Sequence, residues 1–130
     1  MLTAHVLCDI MQVLSKNTLH TGGEMDLATK VEISALFEVY GNSLTDKQKQ
    51  VVDFCVLQDL SLGEVSDLLN ISRQAVKYTL DNAILSMLKL EEELKILDKF
   101  QDIKHKLTKL LESTNDTKLR QQINKILEEL

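Results

Sequence analysis

Apolar residues recur every three or four positions along most of this chain, which is the period of an amphipathic helix. The most informative stretch lies between residues 61 and 87. Ser61 and Glu64 have the spacing of a capping box, which predicts that a helix begins there. Asn70 tolerates the left-handed conformation that ends helices, and Ser72 is a favourable cap for the next one. A short helix, a tight turn and a long helix together predict a helix-turn-helix.

Two further helices are predicted before this motif. Asp26 is a suitable cap for the first, which should end at Gly41-Asn42. Thr45 and Gln48 form a second capping box, and residues 57–60 should turn the chain towards the motif. The side chains expected to face the core from these two helices are Ile33, Leu36, Phe37, Tyr40, Val51, Val52, Cys55 and Val56.

No residue that breaks helices occurs between Ser72 and Ser113. One continuous helix of that length would span roughly 60 Å, whereas a compact domain of this size has a radius of gyration of only about 14 Å. The apolar stripe also shifts by one position partway along, so we predict a kink or break near Leu97 to Lys99. Beyond Asn115-Asp116 a last stripe, Leu119, Ile123, Ile126 and Leu130, predicts a second arm of an antiparallel helical hairpin.

Composition agrees with these helices, because the chain has no proline, four glycines and 4% aromatic residues. The predicted fold class is all-α: a helix-turn-helix bundle with a long helix and a C-terminal helical hairpin. At 130 residues the chain forms one domain with an appendage. We expect a leading segment at 1–24, the helix-turn-helix domain at 25–97 and the hairpin at 98–130.

The leading segment does not fit the helical pattern well. Gly22-Gly23-Glu24 directly before Met25 is what a purine-rich ribosome-binding sequence would encode if it were translated in frame. We therefore hypothesise that natural translation begins at Met25 and that residues 1–24 are not native. The alternative is an ordinary leading helix.

Catalytic and metal-binding patterns are absent from the sequence. It has no phosphate-binding loop, no GxSxG and no HExxH, and its three histidines are far apart. We therefore predict neither an enzyme nor a cofactor. Cys8 and Cys55 form no CxxC pair, so a buried thiol in a reducing compartment is expected for Cys55. The run Glu91-Glu92-Glu93 predicts a solvated helix face, with a repulsive or partner-docking patch as the alternative.

The net charge of −5 argues against indiscriminate binding to nucleic acids, since Lys and Arg supply most of the non-specific affinity. Acidic residues outnumber basic ones in each of the ranges 1–44, 45–90 and 91–130. No apolar stretch is long enough to insert into a membrane. Any nucleic-acid interface would therefore have to be confined to one local basic face of the protein.

The long helix after the turn offers such a face. Arg73 and Gln74 lie in its first turn, where a helix in the major groove meets the base edges, and Lys77 and Tyr78 follow one turn later. Ser61 and Ser72, at the two helix starts, could bind phosphates and set the register. These six residues are the predicted site for double-stranded DNA. The alternative is a solvated helix face.

The apolar stripes of the long helix and the hairpin exceed what one small domain easily covers. A homodimer is therefore expected. The residues predicted to form its interface are Leu90, Leu94, Leu97, Phe100 and Leu107.

The motif resembles the promoter-reading fourth region of bacterial sigma factors, whose pattern is roughly TLEEIGxxLGISRERVRQIExxALxxL. The matching positions are Ser61, Glu64, Val65, Leu69, Ile71, Ser72, Arg73, Val76, Ala83 and Ile84. The sequence departs from the sigma pattern at three positions. Ala75 stands where the pattern has arginine, Tyr78 where it has glutamine, and Asn82 in a stretch that is usually basic. The fold class is accordingly expected to be sigma-region-4-like, with weaker affinity for promoters.

A more specific resemblance, from Val31 to about Leu97, is to the small bacterial YlxM-type family. Its pattern combines ALFxxY, LTxKQ, DxSLxEIA and SRQAV, which this chain carries at Leu36, Phe37, Tyr40, Leu44, Thr45, Lys47, Gln48, Asp59, Ser61, Leu62, Glu64, Ser72, Arg73, Gln74, Ala75 and Val76. The resemblance implies a cytoplasmic helix-turn-helix protein encoded beside genes of the signal recognition particle pathway. Its expected role is regulatory binding, either to DNA or to a component of the protein-targeting machinery.

Overall fold

A computed structural model describes residues 25–130, and within that range the chain is helical and contains no strand. Its six α-helices are α1 Leu27–Tyr40, α2 Asp46–Val52, α3 Leu62–Leu69, α4 Arg73–Leu94, α5 Ile96–Ser113 and α6 Thr117–Glu129. A 3₁₀ turn, Gly41–Ser43, follows α1, and a π-helical segment, Asp53–Leu57, follows α2. The predicted all-α class is confirmed. The hypothesis of a start at Met25 concerns residues 1–24, which lie outside the described range.

The first two helices begin at the caps that the sequence predicts. The Asp26 carboxylate accepts a hydrogen bond from the Thr29 amide at 2.9 Å. At the start of α2 the Thr45 hydroxyl accepts from the Gln48 amide at 3.2 Å, and the Gln48 side chain accepts from the Thr45 amide at 3.1 Å. Each cap satisfies amide groups that the first turn of a helix leaves without partners.

Helices α1 to α4 enclose the hydrophobic core. Each fully buried aliphatic side chain contributes about 1.5–3 kcal/mol relative to an exposed one. This burial, rather than helix propensity, holds α3 and α4 against the first two helices. The largest side chains with less than 2% exposure are Ile33, Leu36, Val51, Val52, Val65, Val76, Ile84 and Met87.

The π-helical segment after α2 is a feature that the sequence does not predict. The Gln58 amide donates to the carbonyl of Asp53, five residues earlier, at 2.9 Å. Asp59 then takes a left-handed conformation, with φ 57°, and its carboxylate forms an ion pair with Lys30 of α1. This ion pair attaches the segment between α2 and α3 to α1.

Cys55 lies within this segment and is a free, buried thiol, as expected. Burial disfavours the thiolate and raises the pKa of Cys55 to about 11, against a smaller opposing effect of the nearby Lys30 charge. The thiol is therefore protonated and unreactive at neutral pH.

The long helical sequence breaks at Lys95, earlier than the predicted range of Leu97 to Lys99. Lys95 separates α4 from α5 and has a left-handed backbone, with φ 54° and ψ 33°. A lysine in this conformation is unfavourable and has no side-chain acceptor to cap the following helix. Another group must satisfy the first amides of α5.

That group is the carboxylate of Glu91, in the last turn of α4. Its Oε2 accepts from the Leu97 amide at 3.1 Å and its Oε1 from the Asp98 amide at 3.0 Å. The Tyr40 hydroxyl donates to Oε2 at 2.5 Å and accepts from the Ile96 amide at 3.2 Å. Glu91 and Tyr40 therefore cap α5 together, and the negative charge lies at the positive end of the helix dipole.

The expectation of a solvated acidic run is wrong for its first member. Glu91 is 3% exposed, whereas Glu92 and Glu93 are exposed. The reason is that a left-handed residue four positions after Glu91 brings the free amides of α5 back towards its carboxylate. Sequence periodicity does not reveal such a contact.

The last two helices form the predicted hairpin. The Asp116 carboxylate caps α6 by accepting from the Lys118 amide at 2.9 Å. The Arg120 guanidinium donates to the carbonyls of Leu111 at 3.0 Å and Thr114 at 3.1 Å, at the end of α5. Ile123 is the buried residue of α6. Within the described range, no helix has both the length and the apolar character needed to span a membrane.

Replacing Glu91 by alanine should lower the free energy of unfolding by about 2–4 kcal/mol, because two amides and the Tyr40 hydroxyl lose a charged acceptor. Urea denaturation followed by circular dichroism measures the change. Glu92→Ala, at the exposed neighbouring position, is the matched control and should change stability by less than about 0.5 kcal/mol. Equal effects of the two substitutions would contradict the role given to Glu91.

The Tyr40 hydroxyl should make stability depend on pH. Burial, together with the hydrogen bond to Glu91, raises the pKa of Tyr40 from 10.0 to about 12. Because the folded state holds this proton more tightly, the stabilisation is complete below pH 10 and is lost as the pH rises towards 12. The unfolding free energy of the wild type should therefore fall more steeply between pH 10 and 12 than that of Tyr40→Phe. Identical slopes would show that Tyr40 is not the group responsible.

Candidate nucleic-acid interface

Helix α3 begins at the predicted capping box. The Ser61 hydroxyl accepts from the Glu64 amide at 3.1 Å, and the Glu64 carboxylate accepts from the Ser61 amide at 2.8 Å. The Ser61 hydroxyl hydrogen remains able to donate to a phosphate, whereas the Ser61 amide is already occupied.

The turn between α3 and α4 is closed by Ser66, which sequence reasoning missed. The amides of Asn70 and Ile71 both donate to the Ser66 carbonyl, the second at 3.2 Å, and the Ser66 hydroxyl donates to the Ile71 carbonyl at 2.5 Å. Asn70 has the predicted left-handed conformation, with φ 53°. These bonds set the direction in which α4 leaves the turn.

Helix α4 begins at the predicted cap, where the Ser72 hydroxyl accepts from the Ala75 amide at 3.0 Å. Val76, Leu80 and Ala83 are buried on its inner side. Arg73 and Gln74 are consequently exposed in its first turn, and Tyr78 is 72% exposed one turn further on. The structure thus places Ser72, Arg73, Gln74 and Tyr78 in one accessible region beside the turn.

Arg73 does not extend freely into solvent. Its guanidinium lies over the backbone of Gly63 in the first turn of α3, so close that a Cβ at Gly63 would be 3.0 Å from Nη2. The missing side chain of Gly63 therefore makes room for the guanidinium. The contact joins the first turns of α3 and α4, and Arg73 would have to leave it to reach a base.

Lys77 is less available than its position in the sequence suggests. Its ammonium lies 2.9 Å from the Asp81 carboxylate, and the two side chains are 25% and 23% exposed. Asp81 lies on the same side of α4 as Gln74 and Lys77, two turns from the start of the helix. The spacing of four residues between lysine and aspartate was the signal for this pair. It offsets part of the positive charge of this face.

Apolar surface is also exposed near the turn. Leu68 on α3 is 62% exposed, and Tyr78 on α4 is 72% exposed. Glu64 and Asp67 are exposed acidic residues of α3. The region is therefore mixed in character, with an exposed arginine and glutamine among acidic and apolar neighbours.

The five residues predicted for a dimer interface differ in their surroundings. Leu97 belongs to the core and is 7% exposed, while Leu90 is half-buried against the core. Leu94 and Phe100 are 49% and 46% exposed, and Leu107 is intermediate. Leu97 therefore contributes to the fold of the monomer, and only the other positions are accessible to a partner.

Among residues 25–130 no group of three or more histidine, cysteine, aspartate or glutamate side chains could hold a metal ion. The capped short helix, the hydrogen-bonded turn and the long helix with an exposed first turn together define a helix-turn-helix protein.

The chain belongs to the UPF0122 family, whose profile, described as "Putative helix-turn-helix protein, YlxM / p13 like", matches residues 27–129. The match covers all six helices of the described range. The resemblance to YlxM-type proteins is thereby confirmed.

Individual relatives support the assignment. A UPF0122 protein of Thermoanaerobacter sp. (strain X514) is 40% identical over 101 residues, covering 75% of this chain and 86% of the relative. The UPF0122 protein YlxM of Bacillus subtilis (strain 168) is 34% identical over 106 residues, covering 82% and 96%. A UPF0122 protein of Staphylococcus epidermidis is 32% identical over 108 residues, covering 83% and 98%. The similarity therefore extends over nearly the full length of the last two.

The left-handed conformation of Asn70 makes a specific prediction for the turn. Asn70→Ala should lower the free energy of unfolding by about 1–2 kcal/mol, because a Cβ without a local hydrogen-bonding group is unfavourable there. Asn70→Gly, the matched variant, should be close to neutral or stabilising, because glycine adopts this conformation freely. Thermal unfolding of both variants measures the difference. Equal stability of the two would contradict the conformation described.

Proposed function

We propose that this chain is a DNA-binding regulatory protein whose helix α4 enters the major groove of double-stranded DNA. The observation that carries the proposal is the exposure of Arg73 and Gln74 in the first turn of a helix that a capped turn holds in a set direction. Arginine can bond guanine O6 and N7 together, and glutamine can bond adenine N6 and N7. Ser61, Ser72, Lys77 and Tyr78 complete the proposed site.

The electrostatics of this face favour weak and selective binding. Arg73 and Lys77 are the two basic side chains between residues 61 and 87, where Glu64, Asp67 and Asp81 are acidic. With few lysine or arginine contacts to phosphates, non-specific affinity should be low, so most of the binding free energy must come from base contacts and shape. Sequence discrimination is therefore the property to measure.

Selection from a random duplex pool, followed by fluorescence anisotropy across a salt series, tests the proposal. A sequence-specific DNA-binding protein should enrich one DNA sequence from the pool. Its affinity for that sequence should fall as the salt concentration rises. Arg73→Ala should cost about 1–3 kcal/mol at one base position. Asp81→Asn should raise affinity several-fold, because it removes a negative charge and releases Lys77.

Lys89→Ala is the matched control for these variants, since Lys89 is an exposed basic residue further along the same helix. It should change affinity little. Absence of binding below the micromolar range at low salt would overturn the DNA proposal, as would an equal loss for Arg73→Ala and Lys89→Ala.

The exposure of Leu68 and Tyr78 favours a second candidate, in which the same region docks on a protein. Aromatic and apolar side chains are the usual anchors of such interfaces. The proposed partner is a component of the protein-targeting machinery in the cytoplasm, and we propose the signal recognition particle pathway because proteins of the YlxM type are expected to act there. Pull-down with the GTPase of that particle, comparing the wild type with Tyr78→Ala, distinguishes this candidate from DNA binding.

We also propose that the chain acts as a homodimer. Apolar side chains remain accessible at Leu94 on α4 and at Phe100 on α5, and half-buried Leu107 lies further along α5. Monomeric proteins rarely leave large continuous apolar patches uncovered. Sedimentation velocity should show a dimer at micromolar concentration, and Phe100→Glu should shift the chain towards monomer. A monomer at high micromolar concentration would contradict the dimer.

A further inference from the structure

The hairpin formed by α5 and α6 has an apolar side that the described part of the chain leaves partly uncovered. Ile123 is buried at 5% exposure, but its apolar neighbours on both helices remain between 42% and 56% exposed. They are Phe100, Ile103, Leu110, Leu119, Ile126 and Leu130. An apolar surface contributed by two adjacent helices is suited to packing against two further helices.

Charge is distributed unevenly along the same hairpin. The half around the turn, residues 103–125, which we call the tip, has six basic and two acidic side chains. All six basic residues are exposed: Lys104, Lys106, Lys109, Lys118, Arg120 and Lys125. Of these lysines, only Lys106 forms an ion pair among the described residues, with Asp102 at 2.8 Å.

The opposite half of the hairpin has the reverse balance. We call residues 96–102 and 126–129 the open end, and this part has four acidic side chains and one basic side chain. Its acidic residues are Asp98, Asp102, Glu128 and Glu129. The formal net charge is therefore +4 at the tip and −3 at the open end.

From this arrangement we infer that two copies of the chain pair through their hairpins in antiparallel orientation, with the tip of each hairpin on the open end of the other. Such an interface has a two-fold axis that lies between the two apolar sides and runs perpendicular to the axes of α5 and α6. Both chains then use the same surface. It covers both apolar sides and brings opposite charges together at both ends. The parallel orientation, tip on tip, would place like charges together and is disfavoured.

A second copy fits these features better than a nucleic acid does. A polyanion would be attracted by the tip but repelled by the open end, and it would leave the apolar side exposed to water. The inference rests on the dimer proposed above and specifies its geometry. It does not depend on whether α4 binds DNA.

Lys118 and Glu129 on α6 provide a sharp test. They are eleven residues apart, about three helical turns, so they lie on the same side of the helix. Both are exposed. In the antiparallel dimer, Lys118 of each chain lies towards Glu129 of the other, which gives two equivalent attractive pairs.

The experiment measures the dimer dissociation constant of the full chain by analytical ultracentrifugation at low and high salt. Lys118→Glu and Glu129→Lys should each weaken the dimer by about three- to tenfold at low salt, because both pairs become repulsive. The double variant Lys118→Glu/Glu129→Lys should regain wild-type affinity, since each pair is attractive again with reversed signs. High salt should reduce all these differences.

Mixing the two single variants provides an independent measurement. A heterodimer of Lys118→Glu with Glu129→Lys contains only attractive pairs, so it should form in preference to either homodimer. Neither substitution opposes the helix dipole, because an acidic residue then lies near the start of α6 and a basic residue near its end. Helical content by circular dichroism should therefore be retained in every variant.

The possible failures can be told apart. A dimer in which the double variant stays as weak as the single ones would overturn the antiparallel geometry and leave the proposed dimer intact. A chain that remains monomeric in every variant would overturn both, and the apolar side would then belong to another partner. The DNA-binding proposal is tested separately by Arg73→Ala and does not depend on either result.

Discussion

The buried carboxylate of Glu91 is the contact on which the two-part organisation of this molecule depends. The sequence from Ser72 to Ser113 contains no residue that would end a helix, yet the helix ends at Lys95. The break persists because Glu91 and Tyr40 accept the first three amides of α5. Without these acceptors, three buried or half-buried amides would lack partners, at a cost of about 1–3 kcal/mol each. A continuous helix from α4 through α5 would then compete with the broken arrangement.

Separating α4 from α5 gives the chain two surfaces with different properties. On one side, the hydrogen-bonded turn presents Arg73 and Gln74 at the start of α4, with Asp81 limiting the positive charge of that face. On the other, the hairpin presents an apolar side between a basic tip and an acidic open end. Tyr40 connects the helix-turn-helix to the hairpin, because it lies at the end of α1 in the core and its hydroxyl donates to Glu91, which caps α5. The fold thus couples the orientation of the hairpin to the packing of the helix-turn-helix.

Features that depend on neighbouring residues could be predicted from the sequence, and those that depend on distant contacts could not. The caps at Asp26, Thr45, Ser61 and Ser72 are local hydrogen bonds within three residues, and all four are present. The sequence predicts a break at Leu97 to Lys99, later than the observed break at Lys95, because the cause of the break is a contact between Glu91, Tyr40 and α5. The guanidinium of Arg73 over Gly63 likewise joins residues ten apart across a turn. Local periodicity has no information about either contact.

A distance between the two parts of the molecule tests this account most directly. Spin labels at the exposed positions Glu38 on α1 and His105 on α5, with Cys8 and Cys55 replaced by alanine and the labelled chain diluted in unlabelled protein, report that distance by pulsed electron paramagnetic resonance. The wild type should give one narrow distribution. Glu91→Ala should broaden it and shift it to longer distances, as α4 and α5 sample a continuous helix, whereas Glu92→Ala should leave it unchanged. An identical narrow distribution in Glu91→Ala would contradict the claim that this carboxylate holds the break.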